Sequence, residues 1–301
     1  MAIWKKKDNE PTNFYIISNR NKDENHKVAE EIRAYLEKKS KYARIVGRPR
    51  DIVDKEWPDM VIVLGGDGYV LQTAKHFLSH IVPILGVNFG TLGFLSEVEQ
   101  PHIFDALELL CKGEYSVANR MSLVGNLVRG VEHNPVEVIS NKNDNTGVNE
   151  STHAINEFFI GKSDIGHLMT AEIYVDGKFA DTYVADGVIV STPTGSTAYN
   201  LSAAGPILTP NMDAMIITPI CPHALNKRSI VVSAQSTIQV VIKMTKSTYD
   251  DGAIVLVDGK TAWRAKTGDI LTIKKTDDTF QMVELGEVSF FDKMRSKLNR
   301  D

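Results

Sequence analysis

Two glycine-rich segments far apart in the chain hold the residue types that phosphate chemistry needs. The first, Gly65-Gly66-Asp67-Gly68, closes the apolar run Val61-Ile62-Val63-Leu64. Glycines let a backbone approach a phosphate closely, and the N–H groups at a helix start favour an anion. A carboxylate beside an anion is costly unless it is used. Used, Asp67 orients a hydroxyl nucleophile and takes its proton; phosphoryl transfer asks for little beyond positioning and charge neutralisation. A carboxylate of ordinary pKa is a weak base, but a late proton transfer in a loose transition state needs no stronger one. Composition alone also allows Asp67 a plain turn-forming role.

The second segment is Ser191-Thr192-Pro193-Thr194-Gly195-Ser196-Thr197-Ala198-Tyr199. It follows an apolar stretch and opens a short helix, 198–203, with Ser202 one turn on. Such a loop offers hydroxyls and N–H groups to a nucleotide. Between the two segments, Asn156-Glu157 interrupts the apolar run 154–160. Successive side chains of a strand face opposite sides, so one of the pair points inward and needs a partner. An adenine or ribose edge would serve, and so would a structural neighbour. In Asn88-Phe89-Gly90-Thr91-Leu92-Gly93-Phe94-Leu95 the glycines permit a turn against a ligand, and Phe89 is able to cover a flat ring. An ordinary βα loop with core phenylalanines fits that composition equally well. No metal-ligand spacing of His, Cys, Asp or Glu stands out. Among the histidines only His223, in Cys221-Pro222-His223, has a motif-like setting.

The elements that must position these residues change character along the chain. Apolar runs at 14–17, 43–46, 60–64 and 84–87 alternate with helical periodicity at 25–39, 71–79 and 102–112, the last ended by Gly113. Runs without alternation imply strands covered on both faces, as in a parallel sheet, so the first part reads as a doubly wound α/β domain. After about Tyr115 the segments become short, β-rich and turn-punctuated: 123–129, 154–160, 168–175, 178–184, 188–191, 238–244, 254–257 and 270–273. Asp176-Gly177 and Asp258-Gly259 are hairpin signals, and the pattern predicts an antiparallel β-rich domain. The stretch 134–151, rich in Asn, Asp, Gly and Thr, reads as a surface loop. A last helix over 289–300, with Phe290, Phe291, Met294 and Leu298 on one side, is expected to pack back on the first domain. The expected division is 1–115 with 276–301 for the α/β domain, and 116–275 for the β-rich one.

Bulk properties bound the rest. The 301 residues carry 34 Lys and Arg against 38 Asp and Glu, a net charge of −4. That balance gives no footprint for nucleic acid or an anionic membrane. No stretch is apolar for long enough to span a bilayer. Lys5-Lys6-Lys7 precede no apolar segment, so no secretory signal is expected. Two widely spaced cysteines, Cys111 and Cys221, suggest neither a disulfide framework nor a zinc site, and a cytoplasmic location is expected.

Taken in order, Gly65 to Gly68, Asn156-Glu157, Asp186-Gly187, Pro193 to Tyr199 and Pro219 to His223 resemble the motif series of the NAD kinase family, over roughly 14–275. A related superfamily of lipid and sphingoid-base kinases shares only the first motif. The resemblance implies ATP-dependent phosphorylation of the 2′-hydroxyl on the adenosine ribose of NAD, giving NADP. It implies Mg²⁺ or another divalent cation held mainly through the ATP phosphates, and a homodimer or homotetramer. By the same likeness Asp67 is the general base, with Gly65, Gly66 and Gly68 in a phosphate-binding turn. Asn156 and Glu157 would hold the NAD adenosine moiety. Thr194, Thr197, Ala198, Tyr199 and Ser202 would line the NAD pocket, with Phe89 nearby. Asp186 would reach the nicotinamide side of a site shared between subunits, and His223 would lie near the transferred phosphate. The chain departs from the family pattern at Tyr69 (usually Thr), at Val184-Ala185 (where many relatives carry an Arg), at Ala204 (Gly) and at Ser229 (Pro). The 134–151 insertion is longer than usual. These departures bear on donor choice and affinity. Two other readings remain open to the sequence: a lipid kinase, which would need an acyl cavity, and a dinucleotide sensor without catalysis, which an intact Asp67 opposes.

Overall fold

A computed structural model describes residues 10–52, 57–90, 93–130, 150–163, 169–244, 252–286 and 288–298. They form two compact units, one from the residues up to Arg120 together with those from Asp278 on, the other from Met121 to Asp277.

In the first unit β1 (Asn13–Ser18), β2 (Tyr42–Val46), β3 (Met60–Leu64) and β4 (Pro83–Asn88) run parallel in the order β4-β3-β1-β2. The register sets Ile16 opposite both Ile45 and Ile62. All five residues of β3 are buried, as its unalternating sequence requires. A short β5 (Val98–Glu99) adds alongside β4. Helix α1 (Lys27–Lys38) buries Ala29, Ile32 and Leu36, one face at helical spacing. Its first turn is held by the buried Asp23, whose carboxylate accepts the Val28 and Ala29 N–H groups. Helix α2 (Asp67–His76) starts four residues earlier than the periodicity predicts. Gly68 is a poor helix former, but the Tyr69 and Val70 N–H groups donate to the Gly66 carbonyl and carry the helix back to Asp67. It stops at His76, short of Ser79, which stands at φ +73. Helix α3 (Ile103–Cys111) ends as expected before Gly113, at φ +70.

Helix α4 (Phe290–Leu298) also belongs to this unit, but not with the predicted face inward. Phe291 and Leu298 are about half exposed, and the buried residue is Lys293.

The second unit pairs two sheets. The strands, in chain order, are β6 (Ser116–Val128), β7 (Glu150–Ala154), β8 (Glu157–Lys162), β9 (Met169–Val175), β10 (Lys178–Ala185), β11 (Gly187–Ser191), β12 (Ala214–Ile220), β13 (Ile230–Ser233), β14 (Ile238–Met244), β15 (Ala253–Val257), β16 (Lys260–Ala265) and β17 (Ile270–Glu284). One sheet runs β10-β9-β14-β17, with β6 beside β17 and β7 beside β6. The other runs β13-β12-β11-β8-β15-β16 and is antiparallel throughout. Phe158, Ile160, Val188 and Val190 from one sheet share a core with Ile173, Ile238, Val240 and Leu271 from the other. The end of β17 lies in the first unit, where Gln281 and Met282 pair with Pro83 and Ile84.

Both Asp-Gly turns are made as predicted, with all four residues at positive φ, the geometry that matches strand twist in a two-residue hairpin. Strands β12, β13 and β16 carry no clear period-2 signal. β16 (Lys-Thr-Ala-Trp-Arg-Ala) exists because its hairpin folds it onto β15. The predicted loop 134–151 lies outside the described residues up to 149, and its last two residues begin β7 rather than ending a loop. The predicted strand 154–160 is broken: β7 ends at Ala154, Ile155 and Asn156 form a bend, and β8 begins at Glu157. Among the described residues no helix is long and apolar enough to cross a membrane.

Candidate active site

In the first unit the Asp67 carboxylate sits at the first position of α2 against the chain beyond Gly93. The Phe94 N–H donates to Oδ2 at 2.7 Å; the Leu95 N–H and the Ser96 hydroxyl donate to Oδ1, each at 3.2 Å. A carboxylate has about four lone-pair positions, so three donors fix its plane and leave room on Oδ2 for one more. Gly93 makes the approach possible, since a Cβ there would lie 1.7 Å from Oδ1. The three turn glycines divide. A Cβ on Gly65 would lie 3.0 Å from Tyr69 Cβ and 3.2 Å from its ring, whereas one on Gly66 or Gly68 would meet nothing within 4 Å among the described residues. The Tyr69 hydroxyl donates to the Gly47 carbonyl, so this ring ties α2 to the loop after β2. Phe89 packs, partly buried, against the core of this unit.

In the second unit the bend at Ile155-Asn156 is built by Asp258. Its carboxylate accepts the N–H groups of Ile155 at 3.1 Å, Asn156 at 2.8 Å and Glu157 at 3.4 Å. The hairpin residue thereby turns the chain so that Asn156 leaves the strand. The hydroxyl-rich loop then packs on this bend: the Thr192 N–H donates to the Asn156 carbonyl, and Thr192 Oγ1 donates to the Ile155 carbonyl at 2.7 Å and accepts the Gly195 N–H at 2.9 Å. A Cβ on Gly195 would stand 2.2 Å from the Asn156 carbonyl oxygen, so only glycine allows this approach. Residues Thr194–Thr197 form a 3-10 turn and Tyr199–Ser202 one helical turn. Thr197 Oγ1 donates to the Thr194 carbonyl, and the half-exposed Tyr199 ring lies 5.5 Å from Phe159. Ala198 is partly buried between the two turns and Ser202 is exposed.

Three buried polar atoms in this arrangement have no hydrogen-bond partner among the described residues: Asn156 Oδ1, Glu157 Oε2 and Thr194 Oγ1. Buried polar groups are rarely left unpaired, and here three fall on neighbouring segments. Glu157 is 5 % exposed. Burial, and secondly the Asp258 carboxylate, push its pKa up to about 8, against the pull of the Tyr199 backbone N–H. The folded protein therefore holds this proton more tightly than the unfolded chain. The stability it contributes is full below about pH 4.5, falls as pH rises to about 8, and is flat beyond. At about 1.36 kcal/mol per unit the loss is on the order of a few kcal/mol. Thermal midpoints of the ligand-free protein between pH 5 and 8.5 are expected to show that fall, and Glu157→Gln to flatten it. Parallel pH profiles for the two proteins would refute the assignment.

The remaining motif residues lie elsewhere in the second unit. Asp186 accepts from Lys162 Nζ at 2.6 Å, so a lysine of β8 supplies the basic neighbour absent from Val184-Ala185. His223 is exposed, its N–H donating to the Val184 carbonyl, and with Thr182, Val184, Ala224 and Lys227 it lines a cavity of about 320 Å³. Ala204 stands at φ +57, where a residue with a Cβ is strained and a glycine would not be. Ser229 accepts from Thr218 Oγ1 at 3.0 Å, a bond that proline could not make.

Comparison with known proteins decides the family. The ATP-NAD kinase N-terminal domain model matches residues 50–115 and the ATP-NAD kinase C-terminal domain model matches 155–285. The chain belongs to the NAD kinase family. An NAD kinase of Lachnoclostridium phytofermentans is 37 % identical over 300 residues, covering 94 % of this chain and 98 % of that protein. One from Caldanaerobacter subterraneus is 39 % identical over 240 residues, covering 80 % and 78 %. Two solved structures share the fold at 24 % identity. Yeast NADH kinase complexed with NADH has a TM-score of 0.78 over 98 % of this chain and 89 % of that one. An NAD kinase from Archaeoglobus fulgidus in complex with ATP has 0.70 over 94 % and 99 %. Within this family fold, sequence reasoning finds the motif residues but misses their supports. Gly93 looks like any loop glycine, Asp258 like a turn residue, and Thr192 like one hydroxyl among several. The Asp-Gly hairpin signal is the one cue that points at Asp258.

Proposed function

We propose that this NAD kinase family member transfers the γ-phosphoryl group of ATP to the 2′-hydroxyl of the adenosine ribose of NAD. The observation that carries the mechanism is the fixed Asp67 carboxylate with one acceptor position left open. Asp67 accepts the proton of the hydroxyl as its oxygen bonds to phosphorus and the bond from phosphorus to the β-phosphate oxygen breaks, leaving NADP and ADP. Among the described residues nothing lies within 4 Å of a Cβ at Gly66 or Gly68, and glycine there suits close approach of a phosphate to the start of α2. In the second unit, the unpartnered oxygens of Asn156, Glu157 and Thr194 suit an adenosine with its hydroxyl and amino donors. Thr197, Ala198, Tyr199 and Ser202 continue that surface.

A divalent cation carried on the donor's phosphates fits this donor set. Mg²⁺ commonly binds through phosphates with few protein ligands. When bound, it neutralises phosphate charge. In this reading the enzyme works in the cytoplasm as a homodimer or homotetramer, with Asp186 at the nicotinamide side of a shared site and His223 near the transferred phosphate. The test is NADP formation by the purified protein from NAD, ATP and Mg²⁺, read through an NADP-specific dehydrogenase. Excess EDTA is expected to reduce the rate to background and added Mg²⁺ to restore it. No NADP with ATP or with polyphosphate as donor would overturn the proposal.

A further inference from the structure

Lys293 is the one buried residue of α4 among its described residues. A buried ammonium is costly unless paired, and this one has two partners in one short segment. Its Nζ donates to the Ser96 carbonyl and to the Glu97 carboxylate, both at 2.8 Å. The two charged side chains are 9 % and 6 % exposed, and the other Glu97 oxygen accepts the Leu285 N–H at 3.0 Å. The same helix grips the segment a second time. Phe290 lies 6.0 Å from the Phe94 ring, and Lys297 Nζ lies 5.3 Å from the centroid of that ring. Phe94, Leu95 and Ser96 are the residues whose N–H groups and hydroxyl hold Asp67. One face of 94–97 is therefore fastened to α4 and the other to the carboxylate.

We propose that Lys293 is a positioning residue for phosphoryl transfer, fixing residues 94–97 so that their three donors aim the Asp67 carboxylate at the acceptor hydroxyl. This rests on Asp67 being the base. It differs from a plain stabilising ion pair in what it predicts: the damage should fall on turnover rather than on substrate binding, and should vanish once Asp67 can no longer take a proton. Misplacement of a catalytic group by about 1 Å costs on the order of 10²-fold.

The experiment compares Lys293→Met, Lys293→Met/Glu97→Gln, Asp67→Asn and Asp67→Asn/Lys293→Met. The second variant removes both charges, so that neither is left buried alone. Folded fraction and thermal midpoint are measured for each, and kcat is referred to folded protein. The expected result is a fall in kcat of at least about tenfold in both Lys293 variants, with KM for NAD and ATP within about twofold of wild type. In the Asp67→Asn background, losing Lys293 should lower kcat no further, the coupling expected of groups that act as a unit. Wild-type kcat in the folded charge-neutral variant would overturn the proposal, as would a fall no larger than the loss of folded protein. A full extra loss on top of Asp67→Asn would also overturn it, because Lys293 would then act by another route. Wild-type turnover in Asp67→Asn alone would remove the base assignment itself, an outcome distinct from the others, and with it the role given to Lys293.

Discussion

Asp67→Asn is expected to lower kcat by about 10²- to 10⁴-fold, the range a general base contributes, while NAD still binds. The substitution keeps the shape and removes the ability to take a proton. It also sets an NH₂ group among donors. Asp67 Oδ2 faces the Phe94 N–H, and Oδ1 faces the Leu95 N–H and the Ser96 hydroxyl. Whichever way the amide is turned, a donor meets a backbone N–H. The mismatch costs about 1–3 kcal/mol locally, so a modest fall in thermal midpoint should accompany the kinetic loss. The residues proposed to hold the adenosine, Asn156, Glu157 and Thr194, belong to the other unit, so calorimetric NAD affinity should stay near wild type. Unchanged turnover would sink the assignment of Asp67 as base.

Gly93→Ala should be nearly as damaging, although it alters no chemical group. The added methyl would lie 1.7 Å from Asp67 Oδ1, 2.3 Å from Cγ and 2.5 Å from Oδ2. Either the carboxylate leaves its donors or the segment beyond Gly93 moves away from it. Overpacking of this kind costs roughly 1–3 kcal/mol of stability, and a base displaced by about 1 Å loses on the order of 10²-fold in rate. Gly90→Ala is the comparison for the Asp67 contact alone, because among the described residues a Cβ there would meet nothing within 4 Å, the Asp67 carboxylate included. Steady-state kinetics on the two alanine variants should separate them by at least tenfold. Equal activity would mean that the Asp67 carboxylate is not needed where the structure holds it.

The contrast between Gly90 and Gly93 marks the limit of what is legible in the chain. Two glycines three residues apart have the same composition value, and only the path of the backbone shows that one lies against a carboxylate. The parallel strands are plain from uninterrupted apolar runs such as Met60–Leu64, and the two Asp-Gly hairpins from turn chemistry. β13 and β16 are not, because their patterns are set by the neighbours they pair with. Asn156 and Glu157 stand out as polar residues in an apolar run, but a continuous strand is the natural reading until Asp258, about a hundred residues on, is seen to bend it. Lys293 is the hardest case. Between Phe290-Phe291 and Met294 it reads as a solvent-facing lysine, and its burial depends on Glu97, far back in the chain.

The late position of α4 has a consequence for the making of the protein. Gly65 to Gly68 leave the ribosome more than 200 residues before Lys293 does. At roughly 5–20 residues per second the interval is on the order of ten seconds or more. For most of it, the nascent chain has the residues that hold Asp67 but not the helix that fastens them. A message cut short before codon 290 would yield a polypeptide with every family motif and an Asp67 carboxylate whose donors lack the support of α4. Helix α4 thus separates chains that extend through it from fragments that stop just short of it.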